Sequence, residues 1–175
     1  MKWLLDANVI SLLFEGDAEA ALDRALAKGL ALASTARVLD EVRRTDPRKR
    51  PWATRIKAWN PPAALEVFDM VLGDPIFERW TRLRAQYAAG DKTGVRDDGE
   101  LVCIAHAMGD PSLILGAHDR NALWRATHEV RPHARVASAL VFFDALLACG
   151  AVDRAIRDGL GELGSVRDHR PTWWL

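Results

Sequence analysis

WLLDANVISLLFEGD, residues 3 to 17, is the stretch on which the fold turns. A short apolar run, Trp3-Leu4-Leu5, stops at a carboxylate, Asp6, and beyond it Val9, Ile10, Leu13 and Phe14 recur at the spacing of one helical face. The first run has the character of a buried strand over residues 2–5, and the second that of a helix. Asp6 therefore stands at the junction of a β–α unit. An acid between two apolar runs has two explanations: it caps the helix that follows, or it serves chemistry at the strand end.

Working outward, the same alternation returns. Asp17 is placed to cap a helix whose apolar face is Ala21, Leu22, Ala25 and Leu26, which Gly29 ends before a strand over Leu30 to Ala33. Ser34 or Thr35 then caps a helix carrying Val38, Leu39 and Val42. Residues 43–52, RRTDPRKRPW, form a basic, proline-broken loop. Thr54 to Trp59 is expected as a third strand, Pro61-Pro62 as the start of a helix over about 62–72, and a further helix over about 75–89 precedes a turn at residues 90–94. The clearest later unit is a capped helix from Asp98 to Met108, a turn at Gly109-Asp110-Pro111, a strand over Ser112 to Leu115, and a helix from about Arg120. A strand near Val130 and helices over about 136–148 and 151–162 complete the pattern.

Strands alternating with helices predict an α/β fold with a parallel sheet covered on both faces. In such sheets ligands bind beyond the carboxyl ends of the strands, where strand order reverses. Asp6 occupies that position after the first strand, and Asp119 follows the later strand after Gly116-Ala117-His118. Glu41, within VLDEVRR, and Glu100, in the first turn of DGELVCIAHAM, lie on helices that follow or precede these strands. If those helix starts face one crevice, four carboxylates converge. Like charges about 4 Å apart repel by roughly 4 kcal/mol at an effective dielectric near 20, so the group needs protons or cations. Oxygen donors without clustered Cys or His point to Mg²⁺ or Mn²⁺ rather than zinc.

The combination of LLDANVISLL, STARVLDEVRR and RDDGELVCIAHAMGDPSLILGAHDRNALWRA resembles the PIN-domain family of metal-dependent ribonucleases. The resemblance spans residues 2–147, with 45–95 matching in outline only. It implies a PIN-like three-layer α/β/α sandwich of sheet order 3-2-1-4-5, in one domain with a C-terminal helical extension over 148–175. By the same resemblance Asp6, Glu41, Glu100 and Asp119 are the catalytic acids and hold one or two Mg²⁺ or Mn²⁺ ions. Asp98 is the alternative to Glu100, two residues away, because many relatives carry Asp at the third site. A further acid common in relatives is replaced here by Asn121. Asn8, Arg120 and Arg125 are the expected substrate contacts. The implied reaction is hydrolysis of RNA phosphodiester bonds, leaving a 5′-phosphate and a 3′-hydroxyl. Small relatives are often toxins held inactive by a short antitoxin, often as dimers, so RNA, an antitoxin chain and a second copy are the implied partners. The alternative is a PIN-fold RNA- or protein-binding module without activity.

Structural roles compete at each acid. Asp6 and Asp119 each precede a helix and fit as caps. Asp97 and Glu100 have capping-box spacing. Glu41 shares a charged helical face with Asp40, Arg43 and Arg44, where a solvated ion pair is ordinary. Two enzymatic rivals are disfavoured. Haloacid dehalogenase phosphatases need D-x-D where this chain has Asp6-Ala7-Asn8, and the all-helical HD phosphohydrolases do not place their His-Asp pair after an apolar strand, as His118-Asp119 stands here.

The whole-chain numbers fit this reading. At 175 residues and 49% hydrophobic content, one domain with a sizeable core is expected. With Lys+Arg 24 against Asp+Glu 24, no overall field draws the chain to nucleic acid, so a polyanion has to meet a local patch such as Arg43-Arg44 with Arg48-Lys49-Arg50. Cys103 and Cys149, both in apolar helical patterns, make neither a disulfide framework nor a zinc site. No signal-peptide pattern and no run of about 18 apolar residues is present, so a cytoplasmic protein without a membrane span is expected. Trp173-Trp174 is expected to pack as a clasp.

Overall fold

A computed structural model describes residues 1–87 and 98–167; the expected turn at 90–94, Asp97 and Trp173-Trp174 lie outside the described residues. Five strands, β1 (Lys2–Leu5), β2 (Leu32–Thr35), β3 (Glu66–Phe68), β4 (Leu113–Ala117) and β5 (Val136–Ser138), form one sheet of order β3-β2-β1-β4-β5. Every pairing is parallel. Helices α1 (Ala7–Glu15), α2 (Ala20–Ala27), α3 (Ala36–Arg43), α4 (Ala53–Ala58), α5 (Pro75–Tyr87), α6 (Asp98–Gly109), α7 (Arg120–Glu129), α8 (Ala139–Ala148) and α9 (Arg154–Arg167) cover both faces. The result is a three-layer α/β/α sandwich.

The order explains where a site belongs. From β1 the chain proceeds through β2 to β3 on one side, then crosses to β4 and β5 on the other, so strand order reverses between β1 and β4. Register there is continuous, from Lys2 opposite Leu113 to Leu5 opposite Gly116. The Asp6 amide extends the pairing by donating to the Gly116 carbonyl at 3.1 Å. Around this centre Leu4, Leu5, Ile10, Leu13, Phe14, Phe142 and Phe143 are buried, and Trp3 tilts against Phe142 with ring centroids 5.2 Å apart. Helix α9 packs on α1 and α8. Gly16 permits that contact, since a Cβ there would meet a Leu160 methyl at 2.6 Å. Among the described residues no helix is long and apolar enough to cross a membrane.

Several sequence expectations need correction. Residues 54–59 are not a strand but most of α4, in which Ala53 and Ile56, three apart, face the core. The third strand lies instead at Glu66–Phe68, inside the expected helix over 62–72. Consecutive prolines at 61 and 62 disfavour helical backbone in the residues before them. The β3 strand sits at the sheet edge with Val67 exposed, so it carries no clean apolar alternation. Leu30 is not in β2: its amide closes a Schellman cap onto the Ala25 carbonyl at 2.9 Å, with Gly29 at φ 86°. Strand β2 therefore starts two residues later than expected. Asp17 does not cap α2; it has φ 53° and pairs with Arg55 at 2.6 Å. Strand β4 runs on through Gly116 and Ala117 because Gly116 pairs with Leu5 and Ala117 with Ser138. Val130 ends α7, and the last strand comes at Val136–Ser138, so α8 begins at Ala139 rather than 136.

Candidate functional site

Two β–α junctions bring acids to the strand-order reversal. After β1, Asp6 takes extended backbone, and its side chain accepts the Val9 amide at 2.8 Å to cap α1. After β4, Asp119 does the same for α7, accepting the amides of Asn121 at 2.8 Å and Ala122 at 3.3 Å. Both acids thus have the structural role that competed with chemistry in the sequence, and both stand at the carboxyl ends of adjacent strands. Capping does not remove them from the site, since it engages one carboxylate oxygen in each case.

Helices α3 and α6 supply the opposing wall. Thr35 caps α3 by accepting the Val38 amide at 3.2 Å; Val38, Leu39 and Val42 are buried, and Arg37, Asp40, Glu41 and Arg44 point outward. Helix α6 opens with Asp98, Gly99 and Glu100. Gly99 lets the two helices approach: a Cβ there would lie 2.6 Å from a Glu41 carboxylate oxygen and 3.2 Å from a Val38 methyl. Between these walls is an open cleft of about 610 Å³, into which Glu41, Asp98, Glu100 and Asp119 face together with Asn8 and Asn121. Asp6 is 2% exposed.

Asp6 carries a large electrostatic signature. Burial, and after it the charge of Glu41, push its carboxyl from 3.8 up to about 7, although the amides of Val9, His118 and Asn8 pull the other way. Cys103, below it with Sγ 4.0 Å from the Leu5 carbonyl, is raised in the same way, by burial first and then by the charge of Asp6. The remaining acids are engaged with donors. Glu100 pairs with Arg125 at 3.1 Å, both nearly buried. Asp98 accepts the Trp80 indole N–H at 3.2 Å and lies 4.0 Å from Arg37. In this arrangement no three Asp, Glu, His or Cys side chains among the described residues come close enough to hold one ion. In chemistry the donor set fits a hard divalent cation: it is all carboxylate and amide oxygen, and the anion of its deepest member is disfavoured by burial first and then by the charge of Glu41. In geometry, Glu100 or Asp98 would have to exchange its present partner to join in holding an ion.

Of the residues expected at the site, Asn8, Glu41, Asp98, Glu100 and Asp119 share the cleft wall and Asp6 lies buried at the adjoining strand end. Arg125 reaches the site through Glu100. Arg120 stands exposed at the first position of α7 and is not part of the cleft wall. Arg37, Asp40 and Asn121 belong to the wall and were not expected as contacts. Their signal was available: 37, 41 and 44 share one helical face, and 121 follows the Asp119 cap by two. No protein-family model matches the chain, and no curated protein matches it.

Proposed function

We propose that this protein is a Mg²⁺- or Mn²⁺-dependent ribonuclease of PIN-domain type that hydrolyses RNA phosphodiester bonds. The observation that carries the reading is Asp6: a buried carboxyl, held at about 7 by burial and by Glu41, at the strand-order reversal of a parallel sheet and beside a cleft walled by five further acids, Asp40, Glu41, Asp98, Glu100 and Asp119. A carboxyl so placed is stabilised by a cation, and it gives up its proton when one arrives. Asp6, Glu41 and Asp119 would hold the ion, with Glu100 or Asp98 as the added donor. When bound, it supplies charge stabilisation at the phosphate and activation of water.

The chain's own groups do the rest. Asn8 and Asn121 offer amide N–H donors to non-bridging phosphate oxygens. Arg37 and Arg44, at the rim, offer charge to the flanking backbone, which compensates for the absence of net positive charge. Arg125 holds Glu100 in place until the site fills. The wider reading includes an antitoxin chain and a second copy as partner, which rest on the resemblance alone, and a cytoplasmic setting, which rests on the cysteine usage.

A second reading has its own support. Asp6 and Asp119 both cap helices, and no three acids among the described residues already converge on one point, as an inactive RNA- or protein-binding module would allow. Calorimetric titration with Mn²⁺ separates the two, run on the wild type, Asp6→Asn, Asp119→Asn and Glu41→Gln, together with cleavage of single-stranded RNA. Binding that disappears in the variants, with loss of cleavage, supports the nuclease. A wild type that binds no Mn²⁺ leaves the acids as caps and favours the module.

A further inference from the structure

The acidic cleft does not end at Glu41. On the other side of that residue lies a second, smaller hollow of about 190 Å³, walled by Asn8, Ser11, Glu41, Thr45, Arg50 and Trp52. It shares Asn8 and Glu41 with the first, so the two adjoin across these residues. Their chemistry differs. The first is dominated by carboxylates, whereas the second offers a guanidinium and two hydroxyls beside the Trp52 ring. Glu41 does not spoil that character, because its carboxylate leans over Gly99 of α6, on the side of the first cleft.

Trp52 supplies the independent sign of a missing occupant. It is 8% exposed, and its indole nitrogen is buried with no acceptor among the described residues. Buried donors are almost always satisfied, and this one, closed to solvent behind the ring that walls the hollow, meets an incoming acceptor only when the ring shifts. Arg50 stands at the rim, half exposed, and among the described residues pairs at a long 3.8 Å with Glu15. Its neighbour Arg48 is unlike it, being folded back on Asp46 through its backbone amide at 3.0 Å and its guanidinium at 3.2 Å. Of the basic stretch 43–52, Arg44 walls the first cleft and Arg50 is the cation that walls this hollow. The hollow is below the roughly 300–1,000 Å³ of pockets that enclose whole ligands, so it suits a single group.

We propose that this hollow is a subsite for the phosphodiester adjacent to the scissile one, bound by Arg50 and the hydroxyls of Thr45 and Ser11, with the Trp52 N–H engaged by a small shift of its ring. The proposal rests on the ribonuclease reading and gives its substrate a direction, across Glu41 from the acids towards α4. A dinucleotide has one phosphate and cannot use the subsite while being cut; a trinucleotide has two and can.

The test is cleavage of di- and triuridylate in Mn²⁺ by the wild type, Arg50→Gln and Trp52→Phe, the last keeping the ring and removing the donor. For the trinucleotide, each variant is expected to raise KM about tenfold with kcat unchanged, the size of one charge-assisted contact. For the dinucleotide both constants stay at wild-type values. In Arg50→Gln the salt dependence of 1/KM for the trinucleotide also flattens by about 0.7 in log–log slope, as loss of one phosphate contact on a single strand requires. Equal losses on both substrates mean a structural role, and unchanged kinetics in both variants mean no subsite; either overturns the proposal and leaves the nuclease standing. If the wild type cuts neither substrate, the ribonuclease reading fails first. Titration of uridine 3′,5′-bisphosphate against the Trp52 indole resonance, identified by its loss in Trp52→Phe, then decides whether the hollow takes a phosphate at all, and no shift overturns it as well.

Discussion

At the amino end of the sheet Arg135, 6% exposed, is ringed by main-chain carbonyls; at the carboxyl end Asp6, 2% exposed, shares its surroundings with another acid. The Arg135 guanidinium donates to the carbonyls of Ala107 at 2.7 Å, Asp110 at 2.9 Å and Leu113 at 3.4 Å, and its Nε to that of Arg131 at 3.1 Å. These tie the end of α6 and the start of β4 to the turn before β5. Asp6 has amide donors too, yet burial and Glu41 outweigh them. The difference separates two uses of a buried charge. Where the fold supplies every counter-dipole, the charge serves stability; where the fold leaves the balance unfavourable, the charge waits for something from outside.

The comparison breaks most visibly at Asp6. Asp6→Asn keeps the shape of the cap and removes the charge, so Mn²⁺-dependent RNA cleavage is expected to fall by at least about 10³-fold while the circular dichroism spectrum is unchanged. Retained cleavage would take Asp6 out of the mechanism. Arg135→Met should do the reverse. It strands several buried carbonyls and is expected to cost about 2–4 kcal/mol in urea unfolding, with Mn²⁺ affinity per folded molecule unaltered. A loss of Mn²⁺ binding there would erase the distinction between the two ends.

Stability against pH sharpens it. The folded protein holds the Asp6 carboxyl at about 7, above its ordinary value of 3.8. Its contribution is therefore fully present below pH 3.8 and is lost as pH rises to 7, after which the penalty is constant at up to about 4 kcal/mol. In EDTA, Asp6→Asn should accordingly be more stable than the wild type at pH 8 and equal to it near pH 3.5, by thermal unfolding. Added Mn²⁺ should raise the wild-type Tm and leave that of the variant alone. The smallest effect is expected at His106, whose ring stacks on Phe68 with centroids 5.0 Å apart and whose Nε2 is buried without a hydrogen-bond partner among the described residues. Burial holds this imidazole below its ordinary 6.5, against the nearby Asp74 and with Arg79. Stability from it is present above 6.5 and lost as pH falls, so His106→Phe should flatten the wild-type decline between pH 7 and 5.

How much of this was visible in the chain itself depends on how local the cause is. The β1–Asp6–α1 and β4–Asp119–α7 junctions were legible because a buried strand, an acid and a helical period follow one another within a few residues. The third strand was not, because β3 is an edge with one partner and Val67 in solvent, and its placement is decided by pairing to Ala33–Thr35 far away in sequence. The strand near Val130 was misplaced for a related reason: Val130 is as buried as a strand residue but ends a helix. At the site, residue types and order could be read, whereas the Glu100–Arg125 and Asp98–Trp80 pairings could not. Arg135 offered no sign at all, since what makes it singular is the set of carbonyls brought to it by three separate segments.

The capping role of Asp6 and Asp119, beside the site role proposed for them, has a consequence for descent. A lineage that abandoned catalysis would still be selected to keep both residues, because each holds up the first turn of a helix on which folding depends. Their persistence among relatives would therefore say little about whether those relatives still cut anything. Glu41 caps no helix and leans over a glycine that makes room for it, so it has less to lose when chemistry is given up. Drift at position 41, and the arrival of a side chain at position 99, are the changes by which a retired member of such a lineage would first be known.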